Sequence, residues 1–304
     1  MKKEKVTVIY HRVDYDGLFS ALILDRCAKE RNSVIKFIGY TYGDELPDID
    51  KLKESDIVIM VDISFPPEFM IKLWNIFGDK LIWIDHHNTA IQDSINFGYT
   101  EIKGVRESLE KSACELTWEY FNATPTPKII KYLSAYDVWD KQRFDWDKNI
   151  HPLQLGLRAM YGMNLDNLRK APQLFSDLPV DSIIAGGRQI KKYTSMKWKT
   201  QVQNSAFEIT VAGKYKGIAL LTPDFSSIIF ESVLDNYQVF CICNVKNDSN
   251  YFNVSLYSEP DGRLGDFNLG EYLKTNYSGG GHKTAAGGKL SQDQFINLVF
   301  NRSI

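Results

Sequence analysis

Short apolar runs that end abruptly in charged clusters restrict this chain more than any other feature. Val6 to Tyr10 (VTVIY) runs into His11-Arg12-Val13-Asp14-Tyr15-Asp16-Gly17. Ile57 to Val61 (IVIMV) ends in Asp62, and Leu81 to Ile84 (LIWI) ends in Asp85-His86-His87. Strands without polar alternation need cover on both faces. Val34 to Tyr40 supplies a further strand, and helical patterns intervene at 17–29 (Leu18, Ala21, Leu22, Leu24, Ala28) and around 68–77. Strand and helix in alternation predict an α/β domain built on a parallel sheet.

Further along, 111–122 (KSACELTWEYFN) predicts a helix with Ser112 as N-cap and Glu115 as the third position of a capping box. Pro125 and Pro127 break the pattern, and 128–136 predicts a helix leading into Asp137. The stretch 151–179 is irregular, with prolines at 152, 172 and 179. A long polar helix follows, interrupted by Gly186-Gly187. The resulting division is an N-terminal parallel-sheet domain at 1–180, a linker helix at 181–204, and a smaller C-terminal α/β domain with a mixed sheet at 205–304. That second domain has strands at 218–221, 239–245 and 252–257.

Bulk properties exclude several classes. A chain of 304 residues with 44% hydrophobic and 24% charged residues can bury a sizeable core. Its formal net charge of -2 gives no broad basic surface, which argues against tight binding to long duplex DNA. MKKEKVTVIYH contains no run apolar enough for a signal peptide, and no stretch approaches the roughly 18 apolar residues of a membrane span. A cytoplasmic protein with no membrane partner is expected. The four cysteines form no C-x-x-C pair; Cys241 and Cys243, two apart in an apolar strand, share one face and read as core thiols.

In an open α/β sheet, ligands bind beyond the carboxyl ends of the strands. The three strand ends would therefore gather carboxylates and imidazoles in one crevice. Unneutralised, the carboxylates repel one another, and a divalent cation resolves the repulsion. Oxygen and imidazole donors without thiolate suit manganese or magnesium, with zinc, cobalt or iron as alternatives. Asp14 or Asp16 alone would serve as well for a helix N-cap. A second cluster, Ser278-Gly279-Gly280-Gly281-His282-Lys283-Thr284-Ala285-Ala286-Gly287-Gly288, has the glycine content of a loop that cradles a phosphate.

Together these motifs resemble the DHH phosphoesterases that carry a DHH-associated C-terminal domain, a group of RecJ-type exonucleases, nano-RNases and cyclic dinucleotide phosphodiesterases. The likeness rests on His11-x-x-Asp14-x-Asp16-Gly17, Asp62, Asp85-His86-His87, Asp137 and the GGGH-x-x-AAG run at 279–287. It implies two divalent metal ions, one on His11 and Asp14, the other on Asp16, His86 and Asp137, with Asp62 bridging. It makes Asp85 the residue that orients an imidazole, and it turns His87 toward the scissile phosphate. Gly279, Gly280, Gly281 and His282 would grip the substrate from the second domain, across a crevice whose opening the linker helix sets.

Two departures stand out. The first-motif histidine is three residues before the aspartate, where many relatives have four. In Val254-Ser255-Leu256-Tyr257-Ser258, Tyr257 stands where relatives often carry a phosphate-clamping arginine; Arg263 is the candidate substitute, and Tyr257 itself can stack on a base.

The implied reaction is hydrolysis of phosphodiesters in short single-stranded oligonucleotides or small nucleotides, by a water activated between two metals. The alternatives are a pyrophosphatase or exopolyphosphatase, a nucleoside bisphosphate phosphatase and, outside enzymes, a nucleotide-binding module. A homodimer is compatible with all of them.

Overall fold

The computed structural model describes residues 3–108, 110–224, 227–245 and 251–300. The chain divides into two compact units, Met1–Lys191 and Lys192–Ile304.

The first unit opens with β1 (Lys5–His11), α1 (Tyr15–Glu30), β2 (Val34–Tyr40), a single turn α2 (Ile49–Leu52), β3 (Ile57–Val61), α3 (Pro67–Phe77), β4 (Leu81–Ile84) and α4 (Asn88–Phe97). The helices α5 (Ala113–Phe121), α6 (Lys128–Asp137), α7 (His151–Tyr161) and α8 (Leu165–Arg169) follow. The strands are all parallel in the order β2-β1-β3-β4. Side chains alternate between two cores, as the lack of polar alternation requires. Val8, Ile59 and Val61 pack beneath α1, α5 and α6, while Ile9, Val58, Met60 and Trp83 pack against Met70, Leu73 and Phe77 of α3.

Beyond β4 lies a short extended segment that the sequence did not reveal. Ile82 and Asp85 form parallel bridges to Lys103 and Arg106. Trp83 N donates to Lys103 O at 2.7 Å, and Asp85 N donates to Val105 O at 3.1 Å. Gly104 makes this approach feasible. Its φ is +128°, and a Cβ there would stand 2.0 Å from Trp83 O.

A long helix, α9 (Asp177–Ser205), runs through the division between the units. It starts four residues before the predicted 181, and it is not interrupted at Gly186-Gly187. Gly187 serves packing instead. A Cβ on Gly187 would lie 1.8 Å from Pro152 O, and one on Gly156 of α7 would lie 2.4 Å from Ile183 O. Two helix backbones therefore touch where a break was expected. The stretch after 150, expected to be irregular, is largely helical in α7 and α8.

The second unit contains β5 (Phe207–Val211), β6 (Tyr215–Leu221), β7 (Val239–Val245), β8 (Tyr251–Tyr257), α10 (Leu269–Asn276), β9 (Ser278–Gly281), β10 (Ala285–Ser291) and α11 (Gln292–Phe300). Its mixed sheet has the order β5-β6-β7-β8-β10-β9, with only β6 and β7 parallel. One face buries Val239, Cys241, Cys243, Val254 and Leu256 against Leu269 and Leu273 of α10 and Phe295 of α11. Cys241 and Cys243 are fully buried with sulfurs 3.5 Å apart, in the core where their spacing put them. Among the described residues, no helix is long and apolar enough to cross a membrane.

Candidate metal centre

The order β2-β1-β3-β4 changes direction between β1 and β3, and chains leaving that point open a crevice at the sheet's carboxyl edge. His11 ends β1 and Asp62 follows β3, so the two flank the switch point. Asp85, His86 and His87 follow β4, while Asp137 is the last residue of α6. Asp14 caps α1 by accepting from Gly17 N at 2.9 Å. Gly17 is required there, since a Cβ would lie 2.1 Å from His11 O. The capping role and the cluster role thus fall on the same carboxylate.

Among the described residues, three triads have ligand atoms within 4.8 Å of one another: His11-Asp14-Asp62, Asp16-His86-Asp137 and Asp62-His86-His87. His11 Nδ1 is 2.5 Å from Asp14 Oδ2 and 3.5 Å from Asp62 Oδ2. His86 Nε2 is 3.1 Å from Asp137 Oδ2, 3.4 Å from Asp62 Oδ1 and 3.6 Å from Asp16 Oδ2. Asp62 thus directs one oxygen to each side. It is buried and holds φ at +59°, a conformation that costs a non-glycine residue energy and that clusters at functional sites.

The residues fit a metal. His11 Nδ1 and Asp62 Oδ2 are buried without a hydrogen bond of good geometry. Buried polar atoms are rarely left so, and a cation satisfies both. The donors are carboxylate and imidazole, a set suited to hard or borderline divalent ions.

Two supports hold this cluster. Asp85, fully buried, accepts from Trp83 Nε1, His86 N and His87 N, and its Oδ1 lies 2.7 Å from His87 Nδ1. Burial opposes its charge, yet the contacts with His87 outweigh burial and hold the carboxyl below its usual range. The imidazole that Asp85 orients is therefore that of His87.

The second support is Ser112. It stands at the N-cap of α5 but makes no capping bond of its own. Its hydroxyl donates to Asp16 Oδ1 at 2.5 Å, beside the amides of Ala113 (2.8 Å) and Cys114 (2.7 Å). Asp16 caps α5 from another helix. The expected capping box is absent, because Glu115 instead forms a bidentate pair with Arg143. Ser112 has the signature of an ordinary helix start, so nothing in the sequence tied it to residue 16.

Electrostatics follow from this crowding. Burial, then the charges of Asp62 and Asp137, pushes the Asp16 carboxyl well up; burial and Asp14 raise Asp62. Burial works against a charged imidazole, but the surrounding carboxylates prevail. His86 is pushed up to about 12, His11 to about 10 and His87 to about 9. Without metal, imidazolium charge takes over the neutralising role.

A folded pKa above the unfolded value of about 6.5 gives stability that is full below 6.5 and lost as pH rises through the folded value. In the presence of chelator, melting temperature should therefore fall from about pH 6.5 to about pH 9 through His11, His86 and His87 alike, and above about 9 through His11 and His86. A flat or rising profile in that window would contradict this charge assignment.

Several other charged or titratable side chains are committed elsewhere. His151 is buried at the start of α7; burial, then the charge of Lys191, lowers it to about 4, so it stays neutral. Arg106 donates to Trp83 O and Thr100 O and lies over the Trp83 ring. Lys111 pairs with Glu119.

In the second unit the glycine run is not a loop. Gly279, Gly280 and Gly281 lie in edge strand β9, paired with Gly288, Gly287 and Ala286. Cβ atoms on Gly279 and Gly281 would lie 2.5 Å from Gly287 O and 2.6 Å from Ala285 O, so these glycines allow close strand approach. His282 is exposed at the turn into β10, its N donating to Ala285 O. Tyr257 ends β8 opposite Ala285. Arg263 is held by Asp261 and donates to Leu234 O and Tyr237 O, so its guanidinium is already committed to its own loop and to the segment before β7.

A parallel sheet with a histidine and carboxylate cluster at its switch point makes the first unit an α/β domain with a candidate metal centre. Residues 5–137 match the profile of the DHH family, N-terminal domain. Among known proteins, it is 25% identical over 300 residues to the uncharacterized protein R106 of Acanthamoeba polyphaga mimivirus, covering 94% of this chain and 68% of that one.

Solved structures share the fold. The pGpG-specific phosphodiesterase PggH of Vibrio cholerae superposes with a TM-score of 0.53 at 16% identity, over 97% of this chain and 96% of that one. An exopolyphosphatase-related protein of Bacteroides fragilis gives 0.52 at 16%, over 97% and 90%. RecJ of Thermus thermophilus in complex with Mn2+ gives 0.53 at 15%, over 97% and 51%.

Proposed function

We propose that the protein is a metal-dependent phosphodiesterase acting on short single-stranded oligonucleotides or small nucleotides, with two divalent cations, manganese foremost, in the cluster. The observation that supports this most is Asp62, whose two oxygens lie 3.5 Å from His11 and 3.4 Å from His86. One carboxylate thereby reaches both triads. His11 and Asp14 would hold one ion, Asp16, His86 and Asp137 the other, with Asp62 shared. The bound ions would supply Lewis acidity toward phosphoryl oxygens and a water nucleophile at neutral pH.

The chain's own groups do the rest. Asp85 fixes the His87 ring through Nδ1, and His87 is assigned to the phosphoryl group, where a protonated imidazole can stabilise charge or protonate the leaving oxygen. Gly279, Gly280, Gly281, His282 and Tyr257 are assigned to the remainder of the substrate. Arg263 is not, given its commitments to Asp261 and two carbonyls. A fold neighbour named as a pGpG-specific phosphodiesterase, and another solved with Mn2+, support the substrate class and the metal.

The test is a panel of labelled di- to pentanucleotides, pyrophosphate and polyphosphate, each with manganese, magnesium, cobalt or zinc. Turnover of the short nucleotides, abolished by chelator, is expected. No turnover of any of them, or turnover of phosphoanhydrides alone, overturns the proposal.

Ser112 gives a finer check. Ser112→Ala removes one of the three donors that orient Asp16, and supports of this kind are worth about 10–100-fold in metal affinity. Manganese titration by calorimetry should show affinity weakened about tenfold, with the fold retained by the Ala113 and Cys114 amides. Unchanged affinity would remove Asp16 from the ligand set.

A further inference from the structure

Tyr42 has no part in the scheme above, yet it stands over the cluster. It lies in the turn that follows β2 and is 54% exposed. Its ring centroid is 6.0 Å from that of His11 and 6.3 Å from that of His87, with interplanar angles of 58° and 81°. Its hydroxyl comes no nearer than 3.5 Å to Ser64 Oγ. A scattered exposed aromatic needs no explanation. This one is placed against the two imidazoles that flank the crevice.

The turn that carries it is braced. Thr41 N donates to Asp44 Oδ2 at 3.0 Å, Asp44 N to Thr41 O at 3.1 Å, and Tyr40 Oη to Asp44 O at 3.2 Å. Arg12, the residue after His11, forms an ion pair with Asp44 and donates to it through Nη2 at 3.2 Å. Arg12 N also donates to Tyr40 O at 3.0 Å. The same segment that supplies His11 therefore fixes the turn, and the ring is presented from a rigid base. Tyr42 belongs to neither hydrophobic core of this unit. Its exposed aromatic surface is thus available to a ligand.

We propose that Tyr42 is a base-stacking platform, receiving the nucleobase of the nucleotide whose phosphate lies at the cluster. This rests on the phosphodiesterase reading and deepens it by giving the site a subsite for the base. A phosphate among His11, Asp62 and His87 leaves its sugar and base within reach of a ring about 6 Å from those imidazoles. Stacking suits a substrate defined by being a nucleotide rather than by its sequence, since every base has a π-face. It also separates nucleotides from pyrophosphate and polyphosphate, which carry nothing to stack.

The test is calorimetric titration of the full chain loaded with Mn2+, as wild type, Tyr42→Phe and Tyr42→Ala. The two ligands are a nucleoside 5′-monophosphate and ribose 5-phosphate. Wild type and Tyr42→Phe should bind the nucleotide about tenfold more tightly than the sugar phosphate, and Tyr42→Ala should bind the two alike. Ribose 5-phosphate should bind all three proteins equally.

The proposal is overturned by a wild type with no preference for the base, including one that binds neither ligand. It is also overturned if the preference survives in Tyr42→Ala, if Tyr42→Phe loses it, or if ribose 5-phosphate binding falls in Tyr42→Ala. Dinucleotide turnover on the same wild-type sample separates the two readings. Absent turnover with the preference intact removes the phosphodiesterase and keeps the platform, whereas turnover without the preference removes only the platform.

Discussion

Asp62→Asn should lower kcat/KM for dinucleotide hydrolysis by about a thousandfold while leaving the metal-free fold at least as stable as wild type. The amide has one oxygen where the carboxylate has two, and here both are directed at partners, 3.5 Å from His11 and 3.4 Å from His86. Charge stabilisation by bound metal is worth several kcal/mol, and about 1.4 kcal/mol is tenfold in rate. Loss of a shared ligand disturbs both ions at once.

Stability responds in the other direction. Asp62 is 1% exposed, and burial and the charge of Asp14 raise its pKa, so the metal-free protein gains from losing the charge. Asparagine also tolerates the left-handed backbone at φ +59° better than most residues. Kinetics with manganese and melting with chelator make the comparison. Activity within about tenfold of wild type would show that Asp62 bridges nothing, and a large drop in melting temperature would show that its role is structural.

Gly104→Ala should have the opposite profile, a large loss of stability from a residue that touches no ligand. Its Cβ would lie 2.0 Å from Trp83 O and 2.7 Å from Trp83 C, both backbone atoms of β4 that cannot turn aside. At φ +128° the strain of the backbone itself adds to the overlap. Overpacking costs about 1–3 kcal/mol and an unfavourable φ a similar amount. A loss of about 4 kcal/mol is expected, which for a unit of this size is on the order of 10 °C in melting temperature. The damage would reach the cluster, because the 103–106 segment receives the amides of Trp83 and Asp85. A loss below about 1 kcal/mol would mean that this segment yields freely and does not hold β4.

The histidine and carboxylate cluster was legible in the sequence because each of its strands announces itself twice. An apolar run such as IVIMV marks the strand, and the polar residue after it marks the carboxyl end where an α/β sheet puts ligands. His11, Asp62 and His86 come together for that reason, and Asp137 joins them from the end of α6.

What was not legible depends on pairing between distant segments. Residues 103–106 read KGVR, with no apolar run, and are extended only because β4 offers an open edge. Ser112 looks like a helix cap, and its hydroxyl goes to Asp16, 96 positions away. Gly186-Gly187 suggests a break to any local rule, yet the side chain missing at Gly187 makes room for Pro152 and Gly156 of a neighbouring helix. The run at 279–281 has a loop's composition and a strand's conformation, since glycine at 279 and 281 lets β9 lie close to β10. Tyr42 gave no signal, because one tyrosine in a polar turn is ordinary until its neighbours are known.

Asp16 ties two events together that are usually treated apart. Its carboxylate receives the first amides of α5 and also faces His86 and Asp137. A cation held by that carboxylate would draw on the same oxygens that accept from the amides of Ala113 and Cys114 and make them weaker acceptors. Occupancy of the crevice would thus be registered at the start of a helix whose Leu116 and Trp118 belong to the unit's main core. One side chain stands between the crevice and the interior, so a ligand's arrival at the first would be felt in the second.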